Sequence, residues 1–281
     1  MGTATIKAVR QRINSVNSTM HITKAMQLVA SSKMKRAQAR LEQSAYFFSA
    51  VKEAFADLCE RSTEKSVYLQ GGKGEQTLCV VIAGDRGLAG GYNNNVFKLL
   101  KTVAEQENAI FLPIGKKAVD YCTRHDLPLF DSCPNVERMT AAQCDAFARA
   151  LTERFAKGEY RKVDLIYTKY HNMLSQEAVA EPLLPAAKAQ KTEQSAKRYV
   201  CYEPSPEAVM AAVVPVYLSG MLWGAVSEAY ASEIAARRTA MDSATKNANE
   251  MLNDLSLQYN RARQGAITAE ITEIVAGAEP T

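Results

Sequence analysis

RRTAMDSATKNANEMLNDLSLQYNRARQGAITAEITEIVAGA, residues Arg237 to Ala278, contains no proline. Met241, Ala244, Ala248, Met251, Leu255 and Ala262 recur at three- and four-residue spacing, which keeps one face of an α-helix turned the same way. The stretch reads as a helix with a seam. Helical spacing continues upstream to about Val216, so the rod covers about 60 residues, roughly 90 Å at 1.5 Å per residue. A rod of that length outruns a single globular core and needs a partner helix, another chain, or both.

The partner is at the other end of the chain. From Thr3 to Arg61 there is neither proline nor glycine. Ile6, Ile13, Met20, Gln27, Met34, Leu41, Phe48 and Phe55 fall at one heptad position, and Val9, Val16, Thr23, Ala30, Ala37, Ser44, Val51 and Leu58 at the other. A register that holds this long is a coiled-coil signature, and its small or polar middle lets a partner backbone come close. Between Met20 and Ala30 the helix is apolar beyond the seam, at Ile22, Met26, Leu28 and Val29. Such a turn is buried all round, either in a collar of other protein or against this chain's own globular part. The same helix is basic: Lys7, Arg10, Arg12, Lys24, Lys33, Lys35, Arg36 and Arg40 all precede the first acidic residue, Glu42. It seeks an acidic partner.

Between the helices the pattern changes. Ser62–Gly74 reads as a loop, Thr77–Ala83 as a buried strand, Tyr92–Glu107 as a helix, Ile110–Ile114 as a strand and Lys116–His125 as a helix. Leu127–Phe130 reads as a third strand, Ala141–Ala156 as a helix and Val163–Tyr170 as a strand. Glu177–Leu183 and Arg198–Tyr202 read as extra edge strands flanking a polar loop, Lys188–Ala196. This order predicts an open, Rossmann-like α/β sheet inserted between the halves of an antiparallel coiled coil. Ser205-Pro206-Glu207 is a helix start, followed by a short helix to Val213, a break, and the long helix from Pro215. The expected divisions are 1–61, 75–203 and 206–281.

The chain has 281 residues, 47% hydrophobic and 23% charged, with a net charge of +4, which is ordinary for a folded soluble protein. Cys59, Cys79, Cys122, Cys133, Cys144 and Cys201 form no CxxC pair and have no histidine at ligand spacing, so free thiols are expected and a metal site is not. No window approaches 18 uninterrupted apolar residues, so no membrane span is expected, and the chain reads as cytoplasmic.

The loop Gly84-Asp85-Arg86-Gly87-Leu88-Ala89-Gly90-Gly91-Tyr92-Asn93 follows a strand and precedes a helix, where a glycine-rich turn can hold a phosphate. It lacks GxGxxG and GK[ST], which favours a structural crossover in which Asp85 and Arg86 pair or cap. His21, His125 and His171 accompany no recognisable nucleophile, and no catalytic, cofactor or metal residue is assigned. Nucleic-acid binding by the basic helix fits poorly, because basic region and zipper are successive in basic-zipper proteins and superimposed here. A helical scaffold or nucleic-acid-binding coiled coil is the alternative to the reading below.

The stretch from Ile6 to Ala37, IKAVRQRINSVNSTMHITKAMQLVASSKMKRA, together with AARRTAMDSATKNA at 235–248 and NRARQGAITAEITEIVAGA at 260–278, resembles the γ subunits of F-type ATP synthases of bacterial type. The Gly84–Asn93 loop is similar to the family's SDKGLCGxxN crossover, with Gly84 for serine, Arg86 for lysine and Ala89 for cysteine. The resemblance implies a non-catalytic central-stalk rotor, one copy per complex. Its coiled coil stands in an α3β3 ring, and its α/β domain lies beside the ε subunit and the c-ring. Ion-driven rotation of the c-ring is then coupled to ATP synthesis or hydrolysis on the β subunits, because an asymmetric rod contacts three equivalent subunits differently. It also implies attachment to the cytoplasmic face of the bacterial membrane through the complex alone, with no cofactor on this chain.

Carried over by residue, the resemblance places Met26 near the acidic lever segment of β, and Arg237, Arg263, Gln264, Thr268 and Glu270 in contact with the ring. Two places depart from the family pattern: Gln27-Leu28 stands where lysine-methionine is usual, and Arg238 where methionine is usual. A chloroplast-type cysteine insert is absent.

Overall fold

A computed structural model describes residues 2–61, 66–186, 203 and 205–277. The helix α1 runs over Gly2–Arg61 and α6 over Pro206–Gly277. Between them come α2 (Val67–Gln70), β1 (Gln76–Ile82), α3 (Tyr92–Gln106), β2 (Ala109–Ile114), α4 (Lys116–Arg124), α5 (Ala141–Ala156), β3 (Tyr160–Tyr170) and β4 (Gln176–Leu184). The chain divides into two compact units, residues 1–31 with 237–281, and residues 32–236.

In the first unit α1 and α6 pair antiparallel. The Thr23 and Thr245 hydroxyls meet at 2.8 Å, and Gln27 Nε2 donates to Asp242 Oδ1 at 2.8 Å. Every heptad position of α1 in this unit whose burial is described is buried or half-buried, as the sequence predicts. On α6 the seam is Met241, Thr245, Ala248, Leu252, Leu255, Tyr259, Ala262 and Ala266, a regular four-three repeat. Two expected members, Ala244 and Met251, leave it, Ala244 giving its place to Thr245. Met251 is 43% exposed, because the strict heptad from Ala248 passes to Leu252. Gly265 is exposed, and a Cβ there meets nothing within 4 Å.

The second unit holds a four-stranded sheet in the order β2-β1-β3-β4, with β1 parallel to β2 and β3, and β4 antiparallel on the edge. The run from Leu78 to Ile82 is fully buried on both faces, which explains its unbroken apolar sequence. Cys79, Val81, Val96, Leu100, Phe111, Ala118 and Cys122 form one core cluster under α3 and α4. Helix α5 starts where expected, with Thr140 and Gln143 completing a reciprocal capping box. In this unit α1 and α6 again pack together, with Phe55 stacked on Tyr217 at 3.9 Å.

Several expectations are corrected. Leu127–Phe130 is not a strand: it forms a single bridge, Leu129 with Phe111, and prolines at 128 and 134 deprive that edge of ladder donors. The loop after α1 contains the short α2. Pro215 does not break the helix, since α6 is continuous and the burial of Met210, Val214, Leu218 and Leu222 on both sides outweighs the lost hydrogen bond. Ser205 does cap it, accepting from Ala208 N–H at 3.2 Å. One window of α6 reaches a mean hydropathy of 1.8, enough by length and composition alone to cross a membrane, and half of it is buried within the protein, as in the core helix of a folded domain. Cys59, Cys79, Cys122, Cys133 and Cys144 are buried free thiols. Cys201, the Lys188–Ala196 loop and the Arg198–Tyr202 strand lie outside the described residues.

Two carboxylates of this unit are held off their ordinary pKa in opposite directions. The ammonium of Lys33 holds Glu137 below the usual range, while burial pushes Glu228 above it against a 3.4 Å hydrogen bond from Tyr170 N–H. Stability contributed by Glu137 is therefore present above about pH 4.3 and lost as pH falls through its folded pKa. That from proton binding by Glu228 is full below about pH 4.3 and lost as pH rises through its folded pKa. Glu137→Gln is expected to destabilise at neutral pH and Glu228→Gln to stabilise, both differences vanishing in acid. Urea unfolding across pH checks this, and matching signs for the two variants would contradict it.

Candidate functional site

The glycine-rich crossover after β1 is filled by its own side chains. The Asp85 carboxylate accepts from the backbone N–H groups of Lys116, Val136 and Glu137 at 3.3, 3.0 and 3.2 Å. Asn93 Oδ1 accepts from Gly84 N–H at 2.9 Å, and its amide donates to Arg86 O at 3.3 Å. Gly84 is small because Glu233 approaches it: a Cβ there would lie 2.8 Å from the carboxyl carbon. The loop is a structural joint, and the capping role expected for Asp85 is the one observed.

The surface that asks for a partner lies on the helices of the first unit. Ile22, Leu28 and Val29 are 60, 65 and 57% exposed, so the facing helix of the first unit leaves the apolar turn of α1 uncovered. Lys7, Arg10, Arg12, His21 and Lys24 are exposed on the same helix. A shallow groove is lined by Ala8, Val9 and Arg12 of α1 with Met251, Asp254, Leu255 and Gln258 of α6.

Leu255 beside Val9 sets the level of the pair, so α6 from about Arg263 onward continues past the start of α1. There Arg263, Ile267, Glu270 and Ile274 form one stripe, and Gln264, Thr268, Ile271 and Val275 the next, all exposed. A lone helix of about 15 residues with isoleucines on its surface is marginal in water. It is a helix end built to be covered.

The residues carried over from the resemblance fall in two belts. Met26 and Arg237 are half-buried, and the pairing of Gln27 with Asp242 sets them within about two turns of each other. Arg263, Gln264, Thr268 and Glu270 are exposed, about 40 Å or more further along α6 at 1.5 Å per residue. The Thr268 hydroxyl donates to Gln264 O at 2.9 Å, so its proton is engaged within the helix. Of the departures, Gln27 is used inside the helix pair, on Asp242, which also pairs with Lys246 at 2.8 Å. Sequence reasoning missed the exposed apolar face of Leu257, Ile267, Ile271, Ile274 and Val275, whose off-seam three-and-four spacing was the available signal.

The family model for ATP synthase matches residues 5–280. The ATP synthase gamma chain of Ruminococcus albus is 44% identical over 277 residues, covering 96% of each chain. The sodium ion specific ATP synthase gamma chain of Acetobacterium woodii is 36% identical over 295 residues, covering 98% of each. Among solved structures, a chain of the Tetrahymena thermophila mitochondrial ATP synthase central stalk and c-ring is 27% identical, with a TM-score of 0.57, over 79% of this chain and 99% of that one. A chain of the Euglena gracilis mitochondrial ATP synthase, 20% identical, shares the fold with a TM-score of 0.70 over 99% of this chain and 97% of that one. Long terminal helices around a mixed sheet, matched by this family over nearly the whole chain, have one assignment: the chain belongs to the γ subunits of ATP synthase, the non-catalytic rotor of the central stalk.

Proposed function

We propose that residues 1–61 and 206–281 serve as the shaft that turns inside a ring of three α and three β subunits, one copy per complex. Residues 75–203 are the part that meets the ε subunit and the c-ring. The catalytic nucleotide sites lie on the β subunits, and the complex holds this chain at the cytoplasmic face of the bacterial membrane. Met26 and Arg237 form the lower set of ring contacts, and Arg263, Gln264, Thr268 and Glu270 the upper set. The observation that carries this reading is the end of α6, where apolar stripes at 267, 271, 274 and 275 are exposed on a helix with no mate among the described residues.

The chemistry suits a bearing. Apolar contact on a turning rod is non-directional and resists withdrawal more than rotation. Arg263 and Gln264 offer directional hydrogen bonds that form at one rotor angle and break at another. The basic residues of α1 supply long-range attraction to acidic segments without close packing.

Co-expression with α, β and ε subunits, followed by hydrogen exchange, tests the proposal. The tagged chain is expected to bring down all three. Amides 263–277 are expected to exchange rapidly in the free chain and at least about tenfold more slowly in the complex. Failure to recover α and β, or equal exchange in both states, would defeat it.

A further inference from the structure

We propose that Arg40 is a torsional latch, a positioning residue that ties α1 and α6 to the segment 136–139 of the α/β domain. A turning force on the sheet then reaches the helices instead of dissipating as twist between them. This rests on the rotor function above. Three parts of the chain converge on one guanidinium. Arg40 Nε donates to Ser227 Oγ of α6 at 3.2 Å, and Nη1 and Nη2 donate to the carbonyls of Glu137 and Met139 at 3.4 and 3.2 Å. Its Cζ lies over Trp223, 4.1 Å from the ring centroid. Only arginine spans such a set, because its donors sit in a rigid fork whose face also stacks on an aromatic ring.

The segment that Arg40 grips is itself fixed at its start. Asp85, at the end of β1, holds the N–H groups of Val136 and Glu137. The Glu137 carboxylate takes Lys33 Nζ of α1 at 2.6 Å and the Tyr230 hydroxyl of α6 at 3.3 Å. The Lys33–Glu137 pair is 32% and 43% exposed at its side chains, so alone it contributes little. The half-buried guanidinium is the stronger member.

The position matters as much as the contacts. Arg40 precedes the end of α1 by 21 residues, and Ser227 follows the start of α6 by 21, so the latch grips both helices about 30 Å from where the chain leaves them for the sheet. Toward those ends apolar contacts join the helix pair, Phe48 at Gly224 and Phe55 on Tyr217. Such contacts oppose separation but have little angular preference, whereas hydrogen bonds weaken steeply when misaligned.

The test is single-molecule rotation of the α3β3γ complex, with the ring immobilised and a bead attached through Lys101→Cys on α3 in a Cys201→Ser background. Arg40→Met is expected to raise the angular variance during catalytic pauses about twofold, since all of the directional contacts of Arg40 are lost. Unloaded ATP hydrolysis stays near wild type, while rotation against load falls. Arg40→Lys should not restore stiffness, because an ammonium cannot serve Ser227 and both carbonyls together. Trp223, the only tryptophan of the chain, reports independently whether the stack is gone. A shifted Trp223 emission with wild-type variance would overturn the latch. If Arg40→Met fails to assemble, Ser227→Ala and Glu137→Gln should each give a smaller rise, and no rise in either would overturn it as well. A wild-type complex that assembles but does not turn would instead defeat the rotor function beneath it.

Discussion

Replacing Arg263 and Gln264 together by alanine is expected to lower coupled ATP turnover about tenfold while leaving the free chain as stable as wild type. Both side chains are exposed on α6 beyond the start of α1, so no packing is lost and alanine favours the helix. Surface changes of this kind stay within about 0.5 kcal/mol in stability. The rate effect comes from the partner. One hydrogen bond to a charged group is worth about 1.5 kcal/mol, roughly a factor of ten if it forms only at the productive rotor angle. ATP-driven ion pumping in vesicles gives the rate, and thermal unfolding of the free chain gives the stability. Thr268→Ala should do less, because the Thr268 hydroxyl proton is already given to Gln264 O. Unchanged pumping in the double variant would remove both residues from the contact set.

Gly115→Ala is expected to destabilise the α/β unit by about 3 kcal/mol or more, combining backbone strain with a clash that cannot relax. Gly115 sits between β2 and α4 at φ 98°, in the left-handed region. An added Cβ would lie 2.0 Å from Ala83 O and 2.9 Å from Val136 Cγ2. The first is backbone at the end of the central strand and has nowhere to go. Moving Gly115 instead would break its 2.7 Å hydrogen bond to Cys133 O. Against a total stability of about 5–15 kcal/mol, that loss leaves the chain poorly soluble or unable to assemble. Urea unfolding measures it, and a loss below about 1 kcal/mol would show that the turn is less constrained than its geometry implies.

Much of this architecture is legible in the residues. The heptads of α1, the bounds of α5 and the buried run of β1 are periodic or capped signals that neighbours in sequence carry by themselves. The rotor assignment was legible too, through motifs at both ends of the chain. What failed was local inference where a distant contact decides. Pro215 reads as a break, yet burial around it keeps the helix whole. Leu127–Phe130 reads as a strand, yet it borders β2 through one bridge. Met251 and Leu252 are adjacent and both apolar, and only the register of the facing helix puts the second in the seam.

The candidate surface divides the same way. The apolar turn at Ile22, Leu28 and Val29 was visible as composition, but whether it met this chain or another depended on what the fold placed over it. The facing helix of its own unit leaves it bare. By itself the sequence determined two long helices with matching seams, an α/β insert and the family, because each is encoded by spacing or by motif. Only the tertiary structure decided which apolar faces remain exposed and how Arg40 and Ser227, 187 residues apart, come to share a hydrogen bond. Burial and long-range polar contacts depend on chain segments with no common period, and no local pattern records them.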